Sequence, residues 1–353
     1  RLDYSNDTAA TTVRGSLDAG MYRDGSSGND LFGYFAPGPG GQPNKRALTR
    51  VDYSNDTATA APKGDLVAAG GYGVGALSAQ ANALPQGFVQ GKVGSYGTGY
   101  VSLGSPGNYT IVDRIDFAND TATSSRRGDL ASGRQQAAAS SSSSHAYFGG
   151  GVPHGSATSY VDRIDYGNDT ATASPKGNLS FTVKNQGVTG NPSFGYYGGG
   201  TNGSAYFTTM NRIDYSNDTA TATVKGPVSI ARQLLTATGN TSFGYFIGGD
   251  GPSIPSNNSS WVDRLDYSND TTAASVKGYL SAGTNDAGAT GSPNFGYAGG
   301  GDTGPTSTLH RIDYSNDSAT ALARTTLGST FYSQRAVSGQ ENGLQPTATI
   351  TDP

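Results

Sequence analysis

Seven near-identical copies of one eight-residue segment, Arg-(Leu/Ile/Val)-Asp-(Tyr/Phe)-x-Asn-Asp-(Thr/Ser), punctuate this chain. They begin at Arg1, Arg50, Arg114, Arg163, Arg212, Arg264 and Arg311, at spacings of 49, 64, 49, 49, 52 and 47 residues. Such a period in a Gly-rich, Tyr-rich chain marks a radial β-repeat, whose units bury their faces against one another. The 353 residues could hold two or three ordinary domains by length alone. The repeat instead predicts one array over 1–353, an all-β, seven-bladed β-propeller with units starting near 1, 50, 114, 163, 212, 264 and 311.

Gly 53 and only 14% charged residues would also suit a disordered chain. Disorder is excluded by 21 Tyr and 12 Phe that recur at fixed offsets within the period, because disordered chains are poor in aromatics. A net charge of -4 without any basic run argues against nucleic acid. No apolar stretch is long enough to span a membrane, and no targeting segment is visible. The chain opens inside a repeat and without Met, so a processed product or a piece of a longer polypeptide is expected. With Cys 0 there are no disulfides, thiolate metal sites or Cys nucleophile, and stability must come from β-packing.

The unit from Ala231 to Leu280 reads as four short strands. They are expected at Leu234–Thr238, Phe243–Ile247, Val262–Tyr267 and Thr271–Val276. Turn residues end them: Gly239-Asn240, Gly248-Gly249, Ser268-Asn269-Asp270 and Lys277-Gly278. Alternation in the third strand puts Arg264 and Asp266 on one face and Leu265 and Tyr267 on the other. The repeated Arg and Asp are Arg50 and Asp52, Arg114 and Asp116, Arg163 and Asp165, Arg212 and Asp214, Arg264 and Asp266, and Arg311 and Asp313. They are read as structural residues that satisfy each other, bridging blades or holding a turn, in preference to a ring of ligand-binding charges. A basic residue stands at offset thirteen in every copy: Arg14, Lys63, Arg127, Lys176, Lys225, Lys277 and Arg324. Gly follows all of these but Arg324. Asn-Asp-Thr is also a glycosylation sequon, but turn chemistry explains the same residues. The segment lacks the alternating acidic pattern of calcium loops.

The order of signals resembles the kelch repeat. Phe243-Gly-Tyr-Phe-Ile-Gly-Gly249 is similar to its second strand and Arg264-Leu-Asp-Tyr267 to its third. Phe194-Gly-Tyr-Tyr-Gly-Gly-Gly200 with Arg212, and Phe295-Gly-Tyr-Ala-Gly-Gly-Gly301 with Arg311, repeat the pair. The outer-strand Trp of kelch units is missing, since the only Trp, Trp261, precedes the third strand. The resemblance implies a ring closed by a mixed blade. Phe331 to Gly339 and Thr347 to Ile350 would supply its first strands, and Arg1 to Gly15 the last two. The exact wording of the repeats resembles kelch-like repeats in structural proteins of marine tailed bacteriophages.

No catalytic pattern emerges, and neither an enzyme nor a cofactor or metal is expected. His145, His154 and His310 are too dispersed for a metal site. Kelch-type copper radical oxidases need a Tyr–Cys crosslink that this chain cannot make. The Asp-box of sialidase propellers and a nucleophile elbow are absent. The phage resemblance implies a virion structural or appendage protein, a tail fibre or tail-associated propeller, at the virion or an extracellular surface. It would bind other virion or surface proteins, or a host surface glycan or protein, and a homo-oligomer is compatible with it. A decoration piece without host contact and a cellular adhesin or lectin are the alternatives. Irregular loops carry function on rigid scaffolds. The insertion behind the 64-residue spacing, including Ser78–Gly87, and the stretch Pro252–Trp261 are the candidate contact loops. Tyr72, Tyr96, Tyr100, Asn257 and Trp261 are the candidate contact residues.

Overall fold

Short β-branched and aromatic runs punctuated by Gly and Asx turns form antiparallel meanders here, not long strands. A computed structural model describes residues 125–331, except 154, 255–257, 292–293 and 302–305. Before them it describes 25–28, 32–36, 46–52, 54–55, 58–66, 75–78, 98–102 and 110–116. The first sheet holds β1 (Gly25–Gly28), β2 (Phe32–Ala36), β3 (Ala47–Asp52) and β4 (Ala61–Asp65). The second holds β5 (Gly75–Ser78), β6 (Thr98–Ser102), β7 (Val112–Asp116) and β8 (Ser125–Arg126). The third holds β9 (Ala138–Ser141), β10 (His145–Gly149), β11 (Val161–Asp165) and β12 (Ser174–Pro175). The fourth holds β13 (Gly187–Gly190), β14 (Phe194–Gly198), β15 (Met210–Asp214) and β16 (Thr223–Lys225). The fifth holds β17 (Thr236–Gly239), β18 (Phe243–Ile247), β19 (Val262–Asp266) and β20 (Ser275–Val276). The sixth holds β21 (Gly288–Gly291), β22 (Phe295–Gly299), β23 (Thr306–Asp313) and β24 (Leu322–Phe331).

Each sheet is a four-stranded antiparallel meander in chain order. The first strands β1, β5, β9, β13, β17 and β21 pack side by side in that sequence, so they are the inner strands of a β-propeller. The repeat count gives seven blades, but the described residues form six four-stranded sheets. The expected mixed blade falls on residues outside the described ones, apart from Phe331, which ends β24 rather than opening a new inner strand. In the fifth sheet the expected second strand matches β18 residue for residue. The outer strand is much shorter than expected, because the turn that starts at Tyr267 continues through Thr272, where Thr272 N–H donates to Asn269 O at 3.3 Å.

The inner strands are built from Gly, Ala, Ser and Thr because neighbouring blades crowd them. A Cβ on Gly187 would lie 3.1 Å from Leu235 Cβ of the next sheet, and one on Gly291 would lie 2.9 Å from Thr238 Oγ1 of the preceding sheet. Behind them sits the core. Tyr147, Phe148, Tyr196, Tyr197, Tyr245 and Phe246 of the second strands are fully buried, with Ile164, Ile213, Leu265 and Ile312 from the repeated segment. Blades are also stitched together by backbone. Gly151, Gly200 and Gly249, each at positive φ, donate N–H to Val183, Arg232 and Thr284 of the following blade at 2.8 Å. Asn185, Leu234 and Asp286 also hold positive φ, which lets Leu234 N–H reach Asn185 O and Asp286 N–H reach Leu234 O, both at 3.0 Å.

Candidate functional site

The repeated charges build the seams between blades. Arg114, Arg163, Arg212 and Arg264 lie on the third strand of their sheets. Their Nη1 atoms donate to Oδ2 of Asp169, Asp218, Asp270 and Asp317 at 2.9, 2.7, 2.7 and 2.7 Å. Each acceptor is the second acidic residue of the next repeat. The repeated Arg thus bridges neighbouring blades, one of the two expected roles, but its partner is not the Asp that stands two residues after an Arg. That first Asp instead caps the turn that follows: Asp214, Asp266 and Asp313 each accept from the backbone N–H and hydroxyl of Ser216, Ser268 and Ser315. Asp52 does the same with Ser54, and Asp165 accepts from Gly167 N–H. The reason is geometric. The i+2 Asp is turned toward the backbone N–H and hydroxyl two residues on, while the next blade's turn brings its second Asp directly over the Arg.

Further groups converge on these buried aspartates. Tyr147, Tyr196 and Tyr245 hydroxyls donate to Asp218, Asp270 and Asp317 at 3.1, 2.8 and 2.9 Å. Lys176, Lys225 and Lys277 reach the other carboxylate oxygen at 3.3, 3.0 and 3.5 Å, and Arg127 reaches Asp169 at 3.4 Å. The Gly after each of these basic residues donates its N–H to the carbonyl of the same Asp at 2.7 or 2.8 Å. Any Cβ on Gly128, Gly177, Gly226 or Gly278 would overlap the backbone of the next blade. The repeat tyrosines complete the seam. Tyr215, Tyr267 and Tyr314 stack on Tyr147, Tyr196 and Tyr245 of the preceding blade with centroids 4.8 to 5.2 Å apart. Arg50, Arg212, Arg264 and Arg311 also lie 4.1–4.3 Å over the rings of Phe32, Phe194, Phe243 and Phe295. Burial pushes the Asp218 and Asp270 carboxyls up, but the donors around them outweigh it and hold both below the ordinary value.

A second set of charges varies between blades. Arg134 pairs with Asp162 at 2.8 Å and Arg232 with Asp263 at 2.9 Å, all essentially without solvent exposure. At the equivalent positions the fourth sheet has Val183 with Asn211, and the sixth has Thr284 with His310. Asn211 accepts from Ser180 N–H and hydroxyl, and His310 Nε2 lies 3.0 Å from Ser281 Oγ. In these four sheets an Arg is thus present where the partner is an Asp, and replaced by an uncharged residue where the partner is not, as buried charges require. The single-copy residues gave no sequence signal for this, because it shows only once the blades are superposed.

Of the candidate contact residues the described ones, Tyr100 and Trp261, belong to different sheets. Tyr72, Tyr96 and Asn257 lie outside the described residues. Tyr100 is not on a loop: it lies within β6, opposite Arg114, the register position held by Tyr147, Tyr196 and Tyr245 opposite their own Arg residues. The two irregular loops leave from opposite ends of their sheets. The 64-residue spacing is taken up between β5 and β6, while the 52-residue spacing is taken up between β18 and β19. Trp261, at the end of that second loop, packs edge-to-face on the exposed Tyr279, with centroids 5.4 Å apart and planes at 83°. His145 and His310 lie in different sheets, and His154 is outside the described residues.

No protein-family model matches the chain, and no curated protein matches it. Among solved structures it is similar to the one titled "Structure of YjhT", with a TM-score of 0.51 and 13% identity over 64% of this chain and 82% of that one. At that identity the likeness is one of fold, and it agrees with a β-propeller.

Proposed function

We propose that this chain is a non-catalytic, kelch-like seven-bladed propeller of a virion appendage or other extracellular surface, and that it works by binding. The observation that supports this reading is where the repeated chemistry goes. The Arg, Lys, Tyr and Asp groups that could have formed a reactive ring are spent on one another between blades. What remains for a partner is the surface where the blades differ, and fold by itself does not choose among functions. Seven blades follow from the seventh copy of the motif. Arg1 to Thr8 carries the same Tyr4 and Asp7 that the seams use elsewhere. The test is binding of the purified chain to intact candidate host cells, beside binding to candidate surface proteins. Saturable binding to cells supports recognition, and capture by a particle protein alone supports assembly.

The assembly reading has one observation of its own. Val224 and Val276 occupy equivalent positions on the outer strands of adjacent blades and are 54% and 39% exposed. On this reading these valines would be among the outer-edge residues that a protein partner covers.

A further inference from the structure

The fifth sheet departs from its neighbours at one outer corner. Just before the third strand the third and fourth sheets have Tyr160 and Thr209, and just after the seam Gly they have Asn178 and Pro227. The fifth has an aromatic at both places, Trp261 and Tyr279. Tyr279 keeps 44% of its surface exposed although its backbone is pinned on three sides. Gly278 N–H donates to Asp317 O at 2.7 Å, Ala321 N–H to Tyr279 O at 2.7 Å, and Leu280 N–H to Ser260 O at 2.8 Å. Trp261 is held in the same way. Its N–H donates to Ser259 Oγ at 3.0 Å, and its carbonyl accepts from Gly248 N–H at 3.0 Å. With both backbones pinned and the two rings packed edge to face, little is left to order when a ligand arrives.

We propose that Trp261 and Tyr279, their planes at 83°, form an L-shaped aromatic platform on which one ring stacks against a neutral sugar and the other flanks it. This rests on the recognition reading above and names its ligand class. The apolar C–H face of a pyranose covers an aromatic ring while its edge hydroxyls seek neutral hydrogen-bonding groups. Asn258 and Ser260, both partly exposed beside Trp261, and the exposed Ser253 of the same loop supply such groups. The charges next in sequence are already committed, Lys277 to Asp317 and Asp263 to Arg232. An anionic or cationic ligand would therefore find no counter-charge in them, whereas a neutral polyol needs none.

Trp261 is the only Trp, so intrinsic fluorescence reports on this corner alone. The full chain is titrated with cellohexaose, chitohexaose, maltohexaose and laminarihexaose, each to about 10 mM, a range that captures even millimolar affinity. The expected result is a saturable change in Trp emission with at least one of them. Its affinity, read by calorimetry in the variants, falls at least tenfold in Trp261→Ala and Tyr279→Ala and recovers in part in Trp261→Phe. Unchanged thermal melts show that the variants are folded. No response to any of the four glycans, or binding that both alanine variants retain, overturns the platform. Cell binding that survives both alanine substitutions sinks the platform while leaving the recognition reading intact. Absence of cell binding by the parent chain sinks the recognition reading itself.

Discussion

Replacing Asp270 by Asn tests the seam directly. The carboxylate accepts from Arg212 at 2.7 Å, Lys225 at 3.0 Å and Tyr196 at 2.8 Å. Side-chain exposure is 8% for Asp270, 21% for Arg212 and 10% for Lys225, so the substitution strands two covered cations without a counter-charge. Removing one member of a buried pair costs about 3–5 kcal/mol. The partial exposure of Arg212, and the amide oxygen that can still accept one bond, place this case near about 3 kcal/mol. For a chain of 353 residues that is a fall in Tm of roughly 4 °C. Asp214→Asn is the control. It removes a charge two residues from Arg212, the Arg that Asp270 holds, but at an exposed turn where Asn caps as well as Asp, so about 0.5 kcal/mol or less is expected. Differential scanning calorimetry at neutral pH, repeated at high salt, measures both. The Asp270→Asn effect persists in salt because the pair is covered. If Asp214→Asn costs as much as Asp270→Asn, the assignment of the seam to the second Asp is wrong.

His310 gives a pH signature. Burial draws its pKa from 6.5 to about 4, so the fold keeps it neutral where the unfolded chain already binds a proton. Stability is full above pH 6.5 and falls by roughly 3 kcal/mol as pH drops from 6.5 to about 4. His310→Asn, which copies Asn211 of the fourth sheet, flattens Tm across that window. The depressed seam aspartates Asp218 and Asp270 act lower. Their contribution is complete above their ordinary 3.8 and is lost as pH falls through their lower folded values, so a second acid loss persists in His310→Asn. Gly226→Ala should destabilise by more than about 3 kcal/mol, since its methyl would meet Thr272 carbonyl backbone that cannot step aside; urea unfolding reads it. If the first motif closes the ring, Asp7→Asn costs about what Asp270→Asn costs, roughly 3 kcal/mol in the same calorimeter; a neutral result removes the closure by that motif.

Much of this architecture was legible because its signals are periodic. Phe243–Ile247 between Asn240 and Gly248 could be placed as a strand without coordinates, since apolar pattern and turn residues agreed. The seam was only half legible. The sequence shows that Arg212 and Asp270 recur, but equal recurrence fits Asp214 as well, and only the approach of the neighbouring blade distinguishes them. Tyr100 misled for a related reason. The insertion before it hides its register, and pairing with Arg114 is a long-range fact. Tyr279 carries no sequence signal at all, because an aromatic after Lys277-Gly278 reads as ordinary strand packing until its exposure is known.

The seams have a direction: each blade offers cations and a phenol to its successor and a carboxylate to its predecessor. Such a head-to-tail contact is indifferent to whether the successor belongs to the same molecule. Since Asp218, Asp270 and Asp317 receive the same set of donors, nothing in the clasp itself tells one neighbour from another. Correct order must then come from the short tether between consecutive units, which makes the adjacent blade the cheapest partner in entropy. At high concentration that advantage shrinks, and exchange of blades between chains becomes the characteristic folding error of this design.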